Sequence, residues 1–216
     1  MKRFVLAVAV LASSAALAEE PVAVNAGQSW SAVGPKTVAS GANLLEASLG
    51  WPGLEVSYLR GLASRFNLGG RFSFNYGVEG LVRGVAPGLK LQLLTKVLFV
   101  DQGKVSFGMT FEPGPLFYFY NNNTTLIGFA IPVGFRLGIA PASALQLAIF
   151  FDLPMWISFG SVSSFNLPIL TGVGLEYFVQ SSLALFFKMR MGPTVFFRGQ
   201  SAEFTLDAVI GVGWRF

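Results

Sequence analysis

The side chains available for chemistry are limited in this 216-residue chain, because it contains neither histidine nor cysteine. Without histidine, the Ser-His and Asp-His arrangements of hydrolytic enzymes cannot be assembled. Without cysteine, disulfide scaffolds and thiolate metal sites are excluded. The carboxylates of Glu203 and Asp207 could serve acid/base chemistry, but they lie among cations, which favours structural ion pairing. We therefore predict that the chain is not an enzyme and has no catalytic residue, cofactor site or metal site.

The charged residues are embedded in segments where apolar and polar residues alternate. In the segment SLALFFKMRMG, Leu185, Phe187 and Met189 alternate with Lys188 and Arg190. The segments KVSFGMTFE, FNLGGRFSFNYG and DAVIGVGWRF repeat this pattern. A period of two is the signature of β-strands that have one apolar and one polar face.

The alternating segments and the polar breaks between them predict ten strands. Short breaks, such as DQGK, PAS and QSS, alternate along the chain with longer breaks, one of which is expected at about 113–125. Because the first two segments are short, a count of eight strands stays open beside the favoured count of ten. The expected strands are 43–50, 53–60, 66–76, 88–99, 104–112, 126–139, 143–157, 165–178, 182–196 and 202–216.

Two kinds of antiparallel sheet have such strands, and they differ in which face points inwards. In soluble β-proteins the apolar face is buried, whereas in a membrane barrel it meets lipid and the polar face lines the lumen. The chain is 53% hydrophobic and only 12% charged, which suits lipid better than water. A sheet edge in hydrocarbon would leave backbone groups unpaired, so the sheet must close. We predict an all-β fold, a closed antiparallel up-and-down transmembrane β-barrel of eight to ten strands.

The alternation also places the charged side chains inside the predicted barrel. An Arg or Lys that faced lipid at the membrane midplane would cost about 2–4 kcal/mol. The two signs nearly balance, so we expect the lumen charges to pair with one another. This favours a salt-bridged, largely plugged lumen, and the alternative is a narrow pore with a charged constriction. The predicted lumen charges are Arg71, Lys90, Lys96, Arg136, Asp152, Glu176, Lys188, Arg190, Glu203, Asp207 and Arg215, with Glu46, Glu55 and Glu112 on the same faces.

The N-terminus has the pattern of an export signal, with two basic residues, an apolar stretch over 4–11 and small residues at 16–18. We predict a cleaved signal peptide over residues 1–18, a periplasmic leader of little structure over 19–42 and the barrel over 43–216. Cleavage removes two of the fifteen basic residues and lowers the formal charge from +4 to +2. The basic balance therefore does not indicate a nucleic-acid partner.

The last six residues form a second motif, with Gly211, Trp214 and Phe216 at its fixed positions. This end resembles the C-terminal assembly signal of bacterial outer-membrane β-barrel proteins. From residue 43 onwards, the chain resembles the broad family of small barrels that includes the OmpA transmembrane domain. Val209 departs from the motif, because the family commonly has a polar residue there. The resemblance implies that the barrel-assembly machinery reads the last strand and that the protein lies in the outer membrane of a Gram-negative bacterium.

The sequence thus predicts a non-enzymatic outer-membrane β-barrel with a membrane-structural or surface-interaction role. The alternative is a porin-like passive channel for ions or small solutes. The expected partners are outer-membrane lipid and the assembly machinery, with no nucleic acid, and the protein is expected to be a monomer. Pro132, Pro154 and Pro168 are expected at bulges or bends. The aromatic residues that are candidates for interfacial belts are Trp51, Tyr58, Tyr76, Trp156, Tyr177 and Trp214, of which Trp156 also fits an inward-pointing position.

Overall fold

The chain forms one continuous antiparallel sheet in a computed structural model. The described part contains no helix of the length and apolarity that a membrane span would require. The structure describes residues 29–82, 85–120, 124–159, 163–197 and 201–216. The strands are β1 (Asn43–Trp51), β2 (Gly53–Ala63), β3 (Phe66–Gly77), β4 (Val85–Asp101), β5 (Val105–Phe111), β6 (Gly114–Tyr120), β7 (Thr124–Ala142), β8 (Leu145–Phe159), β9 (Ser164–Pro168), β10 (Leu170–Gln180), β11 (Leu183–Phe196) and β12 (Ser201–Arg215).

These segments build a closed barrel of ten strands in up-and-down order. The first and last strands pair with each other, from Leu44 opposite Arg215 to Trp51 opposite Ala208. β5 and β6 both pair with β4 and with β7. They are therefore two halves of one barrel strand and count as one of the ten. β9 and β10 do the same between β8 and β11. The predicted fold class and the favoured count of ten strands are confirmed.

Prolines lie at both interruptions of the wall. β5 gives way to β6 at Pro113, which has no N–H to donate to a neighbouring strand. Pro168 ends β9, and Ile169 separates it from β10. Pro132 and Pro154, by contrast, lie opposite each other within β7 and β8. The predicted break at 113–125 is therefore wrong in part, because β6 continues the wall over seven of these residues and only the stretch after Tyr120 is a connection.

The outer surface of the wall is apolar and the inner surface is not. Outward-facing Leu91, Val173 and Ile210 are each more than half exposed, whereas Gln92 and Glu176, on the opposite face, are buried. Such a surface is what a wall facing lipid requires, and it is the reverse of a soluble sheet. Strand parity alone was enough to assign these faces.

The two ends of the barrel differ in their connections. At one end, here called the turn end, short turns join β2 to β3, β4 to β5, β7 to β8 and β10 to β11. The chain ends of the barrel meet at the same end, where the amide of Asn43 donates to the carbonyl of Phe216 at 2.7 Å. The opposite end, here called the loop end, carries the remaining connections, among them the loop between β3 and β4.

A segment before β1 lies inside the barrel and is named the inner strap (residues 30–38). It has no regular secondary structure, yet Trp30, Ser31, Lys36 and Val38 are buried. The sequence predicts a periplasmic leader of little structure over 19–42, and the part of it over 30–38 has no regular secondary structure but is buried in the lumen. The physical reason is that its polar backbone groups bond to side chains of the lumen. The predicted signal peptide lies outside the described residues.

Candidate functional site in the barrel lumen

The lumen contains three layers, which follow one another from the turn end to the loop end. The first is the inner strap, the second is a layer of paired charges, and the third is an apolar cluster under the loop between β3 and β4. Each layer is built from inward-facing positions of several strands. The possible functions of the protein depend on whether these layers leave a passage.

The inner strap is held first by Glu176 of β10. One carboxylate oxygen of Glu176 accepts a hydrogen bond from the amide of Ala32 at 2.7 Å, and the other accepts one from the hydroxyl of Ser31. Lys96 of β4 donates to the carbonyl of Ser31 at 2.6 Å. Two wall side chains of opposite charge thus satisfy the backbone of a segment that has no strand partner.

The far end of the strap is held by Asn67 of β3, which is fully buried. The side-chain oxygen of Asn67 accepts from the amide of Val38 at 2.9 Å, and its side-chain nitrogen donates to the carbonyl of Val38 at 3.1 Å. Near the start of the strap, the indole of Trp30 packs edge-on against Phe178 at 5.2 Å between ring centres. The strap is therefore anchored across the lumen, from β10 to β3.

Glycines in the wall make room for the strap. A Cβ atom placed on Gly138 would lie 2.8 Å from the ring of Pro35. One placed on Gly108 would lie 3.0 Å from that ring and nearer still to the carbonyl oxygen of Val97 on β4. These distances are shorter than ordinary van der Waals contact. The strap thus passes close to the wall at both glycines, although at Gly108 the neighbouring strand is closer than the strap.

Asp152 of β8 organises one half of the charged layer. It is buried and forms ion pairs with Arg136 of β7 and with Arg190 of β11, the latter at 2.7 Å. Arg190 also bonds to Asp207 of β12. Lys188 lies 3.9 Å from both Asp207 and a second carboxylate, Glu55. A chain of alternating charges thus runs from β7 and β8, past the wall position of β9 and β10, to β11 and β12 and on to β2.

Arg71 of β3 organises the other half of this layer. Its guanidinium donates to Glu112 at 2.5 Å and lies 4.0 Å from Glu46. Glu46 also accepts a hydrogen bond from Ser57 at 2.7 Å. Burying a charge is costly unless it is paired and hydrogen-bonded, and here Arg71 pairs with carboxylates two wall positions away on either side, Glu46 of β1 and Glu112 after β5. The layer therefore joins strands that are not direct neighbours in the wall.

A small cavity of about 50 Å³ lies within the charged layer. Its lining includes strap residues 32–34 and charged side chains from both halves of the layer, among them Glu46, Arg71, Lys96 and Arg190. A water molecule needs roughly 10–15 Å³ of such space, so the cavity has room for a few waters. Among the described residues, no group of three or more acidic side chains is arranged to hold a metal ion.

The third layer is formed under the loop between β3 and β4. Val78 and Leu81 of this loop are buried against Leu116, Tyr118 and Trp156. Trp156, which the sequence left between an interfacial and an inward position, is 4% exposed and lies inside. The loop is tied down by Glu79, which forms an ion pair with Lys90 at 3.2 Å and accepts from the Tyr118 hydroxyl at 2.5 Å.

The structure places most of the predicted lumen charges in these layers. Lys90 lies in the third layer, while Arg215 is at the turn end, where it donates to Ser29 at 3.0 Å. Glu203 is exposed at the loop end and belongs to none of the layers. The predicted charges that contact the strap or the charged layer are Arg71, Lys96, Arg136, Asp152, Glu176, Lys188, Arg190 and Asp207.

Sequence reasoning did not single out Asn67, Tyr118 or Glu79 as important residues. Asn67 could have been found, because it is an amide on the inner face of a predicted strand. Glu79 gave no such signal, since it lies in a predicted break without periodicity. The predicted assembly-signal residues lie in β12 and just after it. Trp214 and Phe216 are on its outer face with ring centres 4.7 Å apart, and Gly211 lies beside the ring of Phe186.

The fold and this lumen define the class of the protein as a closed ten-stranded antiparallel β-barrel with an apolar outer surface and a polar, filled interior. Neither a protein-family model nor a curated protein matches the sequence. A solved structure similar to the chain is the crystal structure of the outer membrane protease OmpT from Escherichia coli. The match covers 81% of this chain and 93% of that chain, with 7% identity and a TM-score of 0.42. It concerns the fold alone, and the predicted resemblance to the OmpA transmembrane domain is not confirmed.

The prediction that the chain is not an enzyme is contradicted by this comparison, since the similar barrel is a protease. The error was to conclude from the absence of histidine that the chain has no enzymatic activity. The absence of histidine excludes mechanisms that require an imidazole, but it does not exclude catalysis by other side chains. The composition of the chain therefore does not decide whether the protein is an enzyme.

Proposed function

We propose that the protein is an outer-membrane β-barrel with a closed lumen and a membrane-structural or surface-interaction role. The observation that carries this proposal is the inner strap, whose buried residues cross the lumen between Glu176 and Asn67. The paired charges and the apolar cluster lie behind it. A solute would have to displace three layers to pass, and each is held by contacts from several strands.

A role at the cell surface is supported by aromatic side chains at the loop end. Phe165 and Phe197 have ring centres 5.3 Å apart, and Phe197 is 60% exposed. Paired aromatic rings that stay accessible are common in surfaces that contact lipid headgroups or other molecules. In this proposal the function belongs to the outside of the barrel, and the lumen supplies rigidity.

Single-channel recording in planar bilayers tests the closed lumen. We expect the wild-type protein to insert without reproducible conductance steps, because the strap, the ion pairs and the apolar cluster occupy the lumen at three successive levels. Reproducible steps that change with Asp207→Asn, but not with Glu203→Gln, would overturn the proposal. The two substitutions make a matched pair, since both remove a carboxylate from β12 but only Asp207 lies in the lumen.

A narrow passive channel for ions or small solutes is the second candidate, and the cavity in the charged layer favours it. Charged side chains around an internal cavity are the means by which pores select ions. This candidate requires that the strap and the loop between β3 and β4 both move. The recordings above distinguish it from the closed barrel.

A further inference from the structure

The barrel wall has a notch at the loop end, above the hairpin of β1 and β2. Pairing between β1 and β12 ends at Trp51 and Ala208, whereas β12 extends back to Ser201 and stays paired with β11 over that length. Residues 201–207 of β12 therefore have no β1 partner. Among the described residues, it is the loop between β3 and β4 that covers this part of the wall.

The covering segment is named the hatch (residues 78–82). Leu81 forms an isolated bridge with Thr205, flanked by bonds from the amide of Leu206 to the carbonyl of Gly80 at 3.0 Å and from the amide of Val82 to the carbonyl of Phe204 at 3.2 Å. Two backbone hydrogen bonds close the wall here. The neighbouring pair of β11 and β12, by contrast, is hydrogen-bonded along its whole length. The hatch is thus the most weakly joined part of the described wall.

The backbone of the hatch is also in an unfavourable conformation. Glu79 has a φ of 46°, and it is the one non-glycine residue with a positive φ in the described part of the chain. Left-handed backbone is disfavoured for residues with a Cβ atom and persists where surrounding contacts hold it. At Glu79 those contacts are the ion pair with Lys90, the hydrogen bond from the Tyr118 hydroxyl and the hydrogen bond from the Glu79 amide to the Tyr118 oxygen at 3.1 Å. The indole of Trp51 also donates to the carbonyl of Gly80 at 3.2 Å, so a small set of polar bonds, together with the burial of Val78 and Leu81, keeps the hatch shut.

The notch lies where the wall meets the edge of the membrane. β1 has nine residues, and a membrane-crossing strand needs about 9–11, so the hairpin ends near the boundary of the hydrocarbon. Trp51 and Tyr76 meet edge-on at this level, with ring centres 5.5 Å apart, as aromatic belts do. The neighbouring strands continue beyond this level, which leaves the hatch facing the lipid headgroups.

Behind the hatch lies the apolar cluster of the third layer. Val78 and Leu81 belong both to the hatch and to this cluster, so outward movement of the hatch would vacate apolar space beside Tyr118 and Trp156. The charged layer below would stop an apolar group from going deeper. A site with an apolar interior, a charged floor and an entrance at the membrane surface suits an acyl chain.

We propose that the hatch admits an acyl chain of a lipid from the surrounding membrane into the space lined by Leu116, Tyr118 and Trp156. This lipid site goes beyond the closed-barrel function, because the acyl chain would occupy only the third layer and would leave the strap and the ion pairs of the charged layer in place. Its failure would leave the conductance result unchanged. The lipid headgroup stays at the membrane surface, beside Trp51 and Tyr76.

Photo-crosslinking in vesicles tests this site. The probe is a phosphatidylcholine that carries a diazirine at the end of one acyl chain, and mass spectrometry locates the adducts. We expect adducts on Tyr118 or Trp156, inside the barrel, besides those on outward residues such as Phe187. The variant Leu81→Cys/Thr205→Cys should lose the inner adducts when oxidised and keep the outer ones. Its cysteines are the only ones present, because the chain has none.

Two further variants complete the test. Leu185→Cys/Val212→Cys joins register partners of β11 and β12 near the turn end, away from the hatch, and its oxidation should leave the inner adducts in place. Glu79→Gln weakens the hold on the hatch without introducing cysteine, and it should raise the yield of inner adducts. Absence of inner adducts from the wild type, an equal yield in the locked and unlocked hatch, or no change in Glu79→Gln would each overturn the proposal.

Discussion

Asp152 illustrates how single residues hold this barrel together. Its carboxylate is 2% exposed and is shared by two arginines on different strands, Arg136 and Arg190. A buried charge that loses its partner costs more than an exposed one, because water cannot replace the interaction. The charged layer is therefore sensitive to the loss of one member in a way that the exposed loop end is not.

We expect Asp152→Ala to destabilise the barrel by about 3–5 kcal/mol, since two buried guanidinium groups would lose a shared carboxylate. The measurement is urea unfolding of the protein refolded in lipid vesicles. Glu203→Ala is the control, and as an exposed substitution it should change the free energy of unfolding by about 0.5 kcal/mol or less. Equal effects of the two substitutions would show that the ion pairs of Asp152 do not stabilise the fold.

Phe216 is a second single residue whose role can be tested, because recognition by the assembly machinery and packing against the barrel predict different effects of its substitution. It is 53% exposed and contacts Trp214, so its burial contributes at most a few kcal/mol. If it is part of an assembly signal, Phe216→Asp should reduce outer-membrane yield in cells far more than it reduces the stability of refolded barrels. Phe187, 39% exposed on the outer face of β11, is the matched position. Equal losses in both assays at Phe216 would support a packing role instead.

The inner strap is the element that distinguishes this barrel from an open one. Its position depends on wall glycines as much as on hydrogen bonds, because Gly138 leaves space that Pro35 occupies. An element held in this way can be displaced without altering the pairing of the wall. The strap and the wall can therefore be tested separately.

We expect Gly138→Val to displace the strap and to expose position 33. The readout is labelling of Val33→Cys by a membrane-impermeant thiol reagent, which should be slow in the parent because Val33 is buried. Gly70→Val is the control, since a Cβ atom there meets nothing closer than 3.6 Å. If labelling is equally slow in Val33→Cys alone, in Val33→Cys with Gly138→Val and in Val33→Cys with Gly70→Val, the strap tolerates the added side chain.

Strand elements could be predicted from the sequence because period two fixes both the strand and its two faces. Leu185, Phe187, Lys188 and Arg190 fall on the predicted sides, and β1 begins at Asn43 as expected. β6 was not predicted because Pro113 and Pro115 resemble a break between strands. A proline ends the pairing of one strand, but the residues that follow it can pair as a new strand, as β6 does from Gly114 onwards. The period carries no information about where the wall is interrupted.

The strap and the hatch could not be predicted, for a different physical reason. Neither has regular backbone, so their positions depend on contacts with residues distant in sequence. Ser31 and Glu176 are 145 positions apart, and Glu79 and Tyr118 are 39 apart. Such contacts are properties of the closed barrel and leave no local pattern.

At the scale of the whole molecule, closure of the sheet determines how the protein should behave in solution. Each strand has two neighbours, so no edge is available from which unfolding can begin. We expect the protein to be extracted only with detergent and to migrate differently on gels before and after heating. Recovery of a soluble periplasmic monomer would contradict a membrane barrel.

The inner strap also imposes an order on biogenesis. It precedes β1 in the chain, but it lies within a cylinder that is complete only when β12 pairs with β1, and β12 is synthesised last. The wall must therefore either fold around a strap that is already in place or receive it afterwards through the turn end. In the first case the strap contributes contacts that help the strands to assemble, and in the second it stabilises a barrel that has already closed.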